Sequence, residues 1–243
     1  MSFNSIALFN MKKLEENVYP GRGIIQGLTP DAQYMVQIYW LMGRSENSRN
    51  RLFVQEDGFV KTKAFDERKV TDPSLIIYYP VKFFENSHIV SNGDQTDTIY
   101  QHLKANGSFE NALNTRAFEP DSPNYTPRIS GIINLDNQEN AYQLSILKTT
   151  NNNPQYPLRI FFNYPQAIPG YGHCLHTYED NGDPLPSFKG EPYLVKLFSK
   201  IEENANFYWE LLNQDHKVAL LVKMIRTDSG EHQVVIINKH ELK

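Results

Sequence analysis

Asp57-Gly58, set between RLFVQ (51–55) and FVKTKAF (59–65), is the feature that most constrains how this chain folds. Two residues that accept positive φ, flanked by β-prone runs, close a tight hairpin and force the strands antiparallel. The arrangement recurs. GIIQGL (23–28) and QYMVQIYWL (33–41) flank Thr29, Pro30 and Asp31, while KVALLVKMIR (217–226) and HQVVIINK (232–239) flank TDSGE. RISGIINLD (128–136), AYQLSILKT (141–149) and PLRIFFNY (157–164) read as further strands, with TTNNNPQYP (149–157) as a turn. SLIIYYPVKFF (74–84) reads as one strand buried on both faces, with a bulge or break at Pro80. The 14 tyrosines and 14 phenylalanines suit pleated faces.

Helical signals are fewer and clustered. Asp94 or Thr96 caps a helix through TDTIYQHLKA, ended by Asn106-Gly107, and Ser108 caps SFENALNTRAF (108–118). A third helix is expected near SKIEENANFYWELLN (199–213), with Leu197, Ile201, Phe207 and Leu211 partly on one face. Many strands with clustered helices predict an α+β layered domain rather than a doubly wound parallel sheet. With no repeat, low-complexity tract or Ser/Gly linker, one domain is expected over 1–243, with a Pro/Gly-rich insertion at 165–192.

A formal charge of −4 argues against nucleic acid or an anionic membrane as partner, so any anion must meet a local basic site. The single cysteine, Cys174, cannot form an intramolecular disulfide, which fits a reducing compartment. The N-terminus has no signal-peptide pattern, and no stretch approaches the ~20 apolar residues of a membrane span. The expectation is a soluble, cytoplasmic protein.

Several segments are able to carry chemistry. In YPGRGI (19–24), Gly21 and Gly23 flank Arg22, which reads either as a turn with a solvated arginine or as a close backbone approach to a ligand. GRSENSRNR (43–51) places Arg44, Arg49 and Arg51 between two strands, as a phosphate-binding set or a solvated basic loop. HIVSNGDQTDTI (88–99) runs from a strand through a turn into a helix N-terminus, which suits a phosphate or simply a cap. FEPDSPNYTPRISG (118–131) holds Glu119 and Asp121 in a proline-rich loop before Arg128, for acid–base work or a plain salt bridge. His173, Cys174 and His176 do not make a zinc site: no second ligand pair lies at a suitable spacing, and the two histidines face opposite sides of a strand.

As an ordered set, these segments resemble the archaeal-type IMP cyclohydrolase family. The matching pieces are Tyr19-Pro-Gly-Arg22, Arg44-Ser45…Asn50-Arg51, Ile76-Ile77-Tyr78 with Lys82, Ser91-Asn92-Gly93 with Thr96-Asp97-Thr98, Thr126-Pro127-Arg128-Ile129, and Thr177-Tyr178, over about residues 19–180. The N-terminal 18 residues then form an extension. The resemblance implies a four-layer αββα sandwich like that of the N-terminal nucleophile hydrolases, with mostly antiparallel sheets. It also implies closure of 5-formamidoimidazole-4-carboxamide ribotide to inosine monophosphate with loss of water, the final step of de novo purine synthesis, without a cofactor. Tyr78 and Glu119 are the implied acid–base pair, with Lys82 stabilising charge on the formyl oxygen. Arg22, Arg44, Asn50, Arg51, Asn92, Arg128, Thr177 and Tyr178 are the implied contacts to the purine ribonucleotide. Tyr78 departs from the family pattern in being followed by Tyr79 and Pro80. An amidohydrolase of the same fold, using Ser2 or Cys174, and a non-catalytic nucleotide-binding module are the competing readings, and a homo-oligomer is compatible with the strand-rich composition.

Overall fold

A computed structural model describes residues 2–70, 73 and 76–242. Its first sheet is formed by β1 (Gly23–Leu28), β2 (Tyr34–Met42), β10 (Tyr171–His176), β11 (Tyr193–Lys196), β12 (Lys217–Arg226) and β13 (His232–Asn238). These lie in the order β11-β10-β1-β2-β12-β13. The second sheet runs in chain order through β3 (Arg51–Glu56), β4 (Phe59–Ala64), β5 (Val81–Phe84), β6 (Ser87–Ser91), β7 (Arg128–Asn134), β8 (Tyr142–Thr150) and β9 (Asn153–Tyr164). Every neighbouring pair is antiparallel. The α+β expectation is met.

Turn chemistry sets the registers. Asp57 and Gly58 both adopt positive φ, 51° and 81°, so the two-residue turn follows the strand twist and pairs Glu56 with Phe59. At the first hairpin, the Thr29 hydroxyl donates to Asp31 at 2.6 Å and accepts from the Tyr34 amide at 3.1 Å. That turn pairs Leu28 with Met35 and Gly23 with Trp40.

Strict alternation then sorts the side chains. Ile24, Tyr39, Leu41 and Leu221 from the first sheet meet Phe53, Val81, Val90, Ile129, Leu144 and Ile146 from the second in one buried cluster. Trp40, Ile38, Val36 and Val222 face the other way, toward α1 (Phe3–Glu16) and α5 (Ile201–Leu211). On the second sheet, Ile89, Ile132 and Leu147 face α3 (Gln95–Lys104) and α4 (Phe109–Asn114) through Ile99, Phe109, Ala112 and Leu113. Full burial of each such aliphatic side chain contributes about 1.5–3 kcal/mol. Lys217 closes the end of α5, its ammonium donating to the Trp209 carbonyl at 2.8 Å, where a cation complements the helix dipole.

The structure departs from the sequence reading in four places. Helix α1 was not anticipated; Ser2 caps it by accepting from the Ser5 amide, and Ala7, Met11 and Leu14 form its buried stripe. The segment 74–84 is not one strand. Ser74 and Leu75 lie outside the described residues, Ile76–Pro80 is turn and bend, and only Val81–Phe84 pairs. The Thr62 hydroxyl donates to the Ile76 and Tyr78 carbonyls and accepts from the Tyr78 amide, so beside the one backbone bond from the Thr62 amide to the Tyr78 carbonyl a side chain takes the place of further ladder bonds. Strand β9 begins at Asn153, within the expected turn, and β10 lies inside the expected insertion, with β11 directly after it.

Candidate active site

The segment Tyr19–Gly23 is pinned before the first strand starts. Gly21 has φ +76°, and a Cβ there would lie 2.2 Å from the Thr177 hydroxyl and 2.5 Å from the Tyr178 ring. Gly23 packs under Trp40, whose indole would be 1.9 Å from an added Cβ. Thr177 ties the segment down: its hydroxyl accepts from the Arg22 amide at 3.1 Å, and its own amide donates to the Arg22 carbonyl at 2.9 Å. Tyr178 donates its amide to the Pro20 carbonyl at 3.1 Å. Only the guanidinium of Arg22 is left to project.

It projects onto Glu119. Arg22 Nη2 donates to Glu119 Oε1 at 2.6 Å, with the two side chains 13% and 4% exposed. Glu119 comes from the loop before β7, where its amide donates to the Thr126 carbonyl at 2.9 Å. Burial pushes the Glu119 carboxyl above the usual carboxylate range, against the pull of Arg22 and Arg128. Burial also opposes charge on Arg22, but Glu119 and then Tyr178, Tyr78 and Tyr39 hold that guanidinium firmly cationic. A carboxyl whose hold on a proton is strengthened by burial, beside a fixed cation, is suited to proton exchange.

Three tyrosines complete the group. Tyr78 and Tyr39, both buried, share a hydroxyl–hydroxyl hydrogen bond of 2.7 Å. Burial raises the Tyr78 phenol, while Arg51 and Arg22 pull it back. Tyr178 lies 2.5 Å, oxygen to oxygen, from the Thr126 hydroxyl and stacks on Tyr19 with centroids 5.9 Å apart. Arg51 is buried at 1% exposure, donating to the Ser48 carbonyl at 2.9 Å and the Met42 carbonyl at 3.4 Å.

Other expected residues lie around this group or apart from it. Arg44 sits at the rim, over the Tyr19 ring at 5.2 Å, and donates to Asn181 Oδ1 and the Gly182 carbonyl at 2.9 and 2.7 Å. Arg128 is close enough to act on Glu119 but is itself held by Asp94 and Gln95, each at 2.6 Å. Asp94 therefore makes no side-chain cap for α3 and instead pairs with Arg128 and Arg116. Asn92 is a fastener, donating to the Pro127 carbonyl and accepting from the Ile129 amide. Asn50 clamps Asp66 through its amide and carbonyl.

Lys82 is not brought to the group. On β5 the core-facing residue is Val81, so Lys82 faces α3, where it pairs with Asp97 at 2.5 Å and lies over the Tyr79 and Tyr100 rings. The sequence reading missed Tyr39, which passes for an apolar strand residue, weighed Asp121 only as a companion of Glu119 for acid–base work, and quoted Thr126 only as part of a matching piece. His173 and His176 do face opposite sides: His173 meets the Tyr142 hydroxyl, and His176 meets Phe188 and Tyr193.

A buried carboxyl, a guanidinium and paired phenols thus lie together at one end of two antiparallel sheets, an arrangement chemically able to exchange protons. The family described as IMP cyclohydrolase-like protein matches residues 19–229, and the chain belongs to that family. Its enzyme class is therefore cyclohydrolase. No curated protein matches the sequence. Among the described residues, no helix is long and apolar enough to cross a membrane.

Proposed function

We propose that the Arg22–Glu119–Tyr78 group closes 5-formamidoimidazole-4-carboxamide ribotide to inosine monophosphate. The observation that carries this assignment is Glu119, a buried carboxyl with a raised pKa, 2.6 Å from Arg22. Both reacting groups sit on one imidazole, so the enzyme fixes a rotamer and moves protons. As the carboxamide nitrogen attacks the formyl carbon, the formyl oxygen gains negative charge. Arg22 stabilises that charge in the place expected of Lys82, Glu119 delivers the proton that lets oxygen leave as water, and Tyr78, ordered by Tyr39, donates a hydrogen bond. Arg44 at the rim and Arg51 and Arg128 on either side form the phosphate and carboxamide contacts, with Tyr178 toward the base or ribose. Asn50, Asn92 and Thr177 act by holding the backbone that carries these groups.

The finer fold reading goes with this one: a single domain in the four-layer, N-terminal nucleophile hydrolase type of the archaeal branch. It is supported by α1 and α5 packing on the first sheet and α3 and α4 on the second. The amidohydrolase reading loses its nucleophiles. Burial pushes the Cys174 thiol up to about 12, and the Ser2 hydroxyl is engaged in capping α1. Incubating the purified protein with the formamido ribotide and following inosine monophosphate by ultraviolet absorbance tests the proposal. Formation no faster than the uncatalysed rate, with the nucleotide still bound, would instead establish a binding module.

A further inference from the structure

The ring closure assigned above takes one proton from the carboxamide nitrogen and one from the formamido nitrogen and gives two to the departing oxygen; the carboxamide proton is the first to leave, and no acceptor has been named for it. Thr126 and its neighbours bear on it. The Thr126 carbonyl accepts from the Glu119 amide at 2.9 Å, and the Thr126 amide donates to Asp121 Oδ1 at 2.6 Å. Its hydroxyl contacts Asp121 Oδ2 on one side and the Tyr178 hydroxyl, at 2.5 Å, on the other. Thr126 and Tyr178 are 1% and 3% exposed, whereas Asp121 is only half-buried.

Donor counting fixes the polarity of this chain. A carboxylate has no proton to give, and a threonine hydroxyl has one. The Thr126 proton therefore goes to Asp121, and Tyr178 must donate to the Thr126 oxygen. The Tyr178 proton is committed, so its oxygen offers only lone pairs to the rest of the site. Arg22 and Glu119 are near enough for their charges to act on that phenol.

We propose that Thr126 and Asp121 are positioning residues for the cyclisation. They hold Tyr178 as a hydrogen-bond acceptor for the substrate carboxamide N–H and give its proton a path outward. This rests on the cyclohydrolase reading. As the C–N bond forms, the carboxamide N–H bond breaks and its proton goes to the Tyr178 oxygen. The phenolic proton passes to the Thr126 oxygen, and the threonine proton passes to the Asp121 carboxylate, which becomes a carboxylic acid. The half-exposed Asp121 then returns it to solvent. The departing oxygen takes the Glu119 proton and the formamido N–H proton, and Glu119 regains from solvent the proton that Asp121 releases to it, so the closure balances with no co-reactant.

The test uses the full chain with T126V, T126S, D121N, Y178F and the double variant T126V/Y178F, all checked for wild-type melting. T126V keeps the side-chain shape and both backbone hydrogen bonds but removes the relay proton. It is expected to lower kcat about 30-fold or more, less than the ~100-fold or more of a group that itself exchanges a proton with substrate, with KM little changed. The solvent deuterium isotope effect on kcat should change with it, and T126S should restore both. D121N offers an amide donor to Thr126, reverses the chain and turns the Tyr178 proton into the site, so it should be at least as impaired as T126V. If Thr126 acts through Tyr178, T126V/Y178F is no slower than Y178F. Wild-type kcat and isotope effect in T126V, or losses that add in the double variant, would overturn the relay while the cyclohydrolase assignment stands. A wild-type protein that forms no inosine monophosphate would remove both.

Discussion

Two sets of polar side chains are buried here, and they are treated in opposite ways. At the starts of β1 and β7, two buried arginines each meet a counter-charge: Arg22 with Glu119, and Arg128 with Asp94. Midway along the space between the sheets, Gln26, Gln37, His88 and Lys223 face one another from β1, β2, β6 and β12. The glutamines are linked, Gln37 donating to Gln26 Oε1 at 2.7 Å and to the His88 carbonyl at 3.1 Å, and Gln26 donating to the Gln143 carbonyl at 2.9 Å. Among the described residues, the Lys223 ammonium, both His88 ring nitrogens and Gln37 Oε1 have no partner. Burial brings Lys223 down to about 7, and burial together with Lys223 and His232 brings His88 down to about 2. Arg22 stays cationic beside its counter-ion, whereas Lys223 and His88, which have none, are pushed toward their neutral forms. The first set is fit to move protons; the second makes the interior sensitive to pH.

Removing a partner from the paired set breaks this contrast most severely. E119Q is expected to lower turnover about 100-fold or more with a smaller change in KM, since it removes a proton donor while leaving an amide for Arg22. Steady-state kinetics checks it, and a loss in KM alone would refute the role.

The unpaired set is sharpened by K223M. The unfolded chain holds the lysine proton up to a pH of about 10.4, whereas the folded chain releases it near 7. Between those values the unfolded state binds more protons, so stability rises with pH, by at most about 1.4 kcal/mol per unit. Urea unfolding from pH 7 to 9.5 should show that slope in the wild type and lose it in K223M. The neighbouring His88 and His232, both lowered, contribute their own rise below the ordinary histidine range, outside this window.

Y78F tests pairing between neutral groups and should have a smaller effect on turnover, about 10-fold, with about 1 kcal/mol of stability from the lost hydroxyl pair. At the lower end, K82M should leave turnover unchanged within assay error, because Lys82 faces α3. A large loss would return it to the active site.

The strands were legible because hairpin turns and two-residue periodicity are local signals, as at Asp57-Gly58 and Thr29–Asp31. Helix α1 carried a readable stripe, Ala7, Met11 and Leu14, but lay in a segment treated as an extension. The Ile76–Pro80 error had a long-range cause: Thr62, 14 residues before Ile76, takes over the backbone bonds. Lys82 came from the resemblance, and in the strand that begins at Val81 it takes the face toward α3. Arg22, Glu119, Tyr78 and Tyr178 became visible together only through the ordered resemblance. Tyr39 did not, and Thr126 entered only as a matching piece without a role, since the importance of each lies in one hydroxyl, set by Tyr78 for the first and by Asp121 and Tyr178 for the second.

Gly21 and Gly23 have a consequence for how this sequence is able to change. Any side chain at residue 21 strikes Thr177 and Tyr178, and any at residue 23 strikes Trp40. Both routes of gradual drift around Arg22 are therefore closed. In a library randomised over 19–24 and selected for function, 21 and 23 should return as glycine, leaving diversity to accumulate elsewhere in the window.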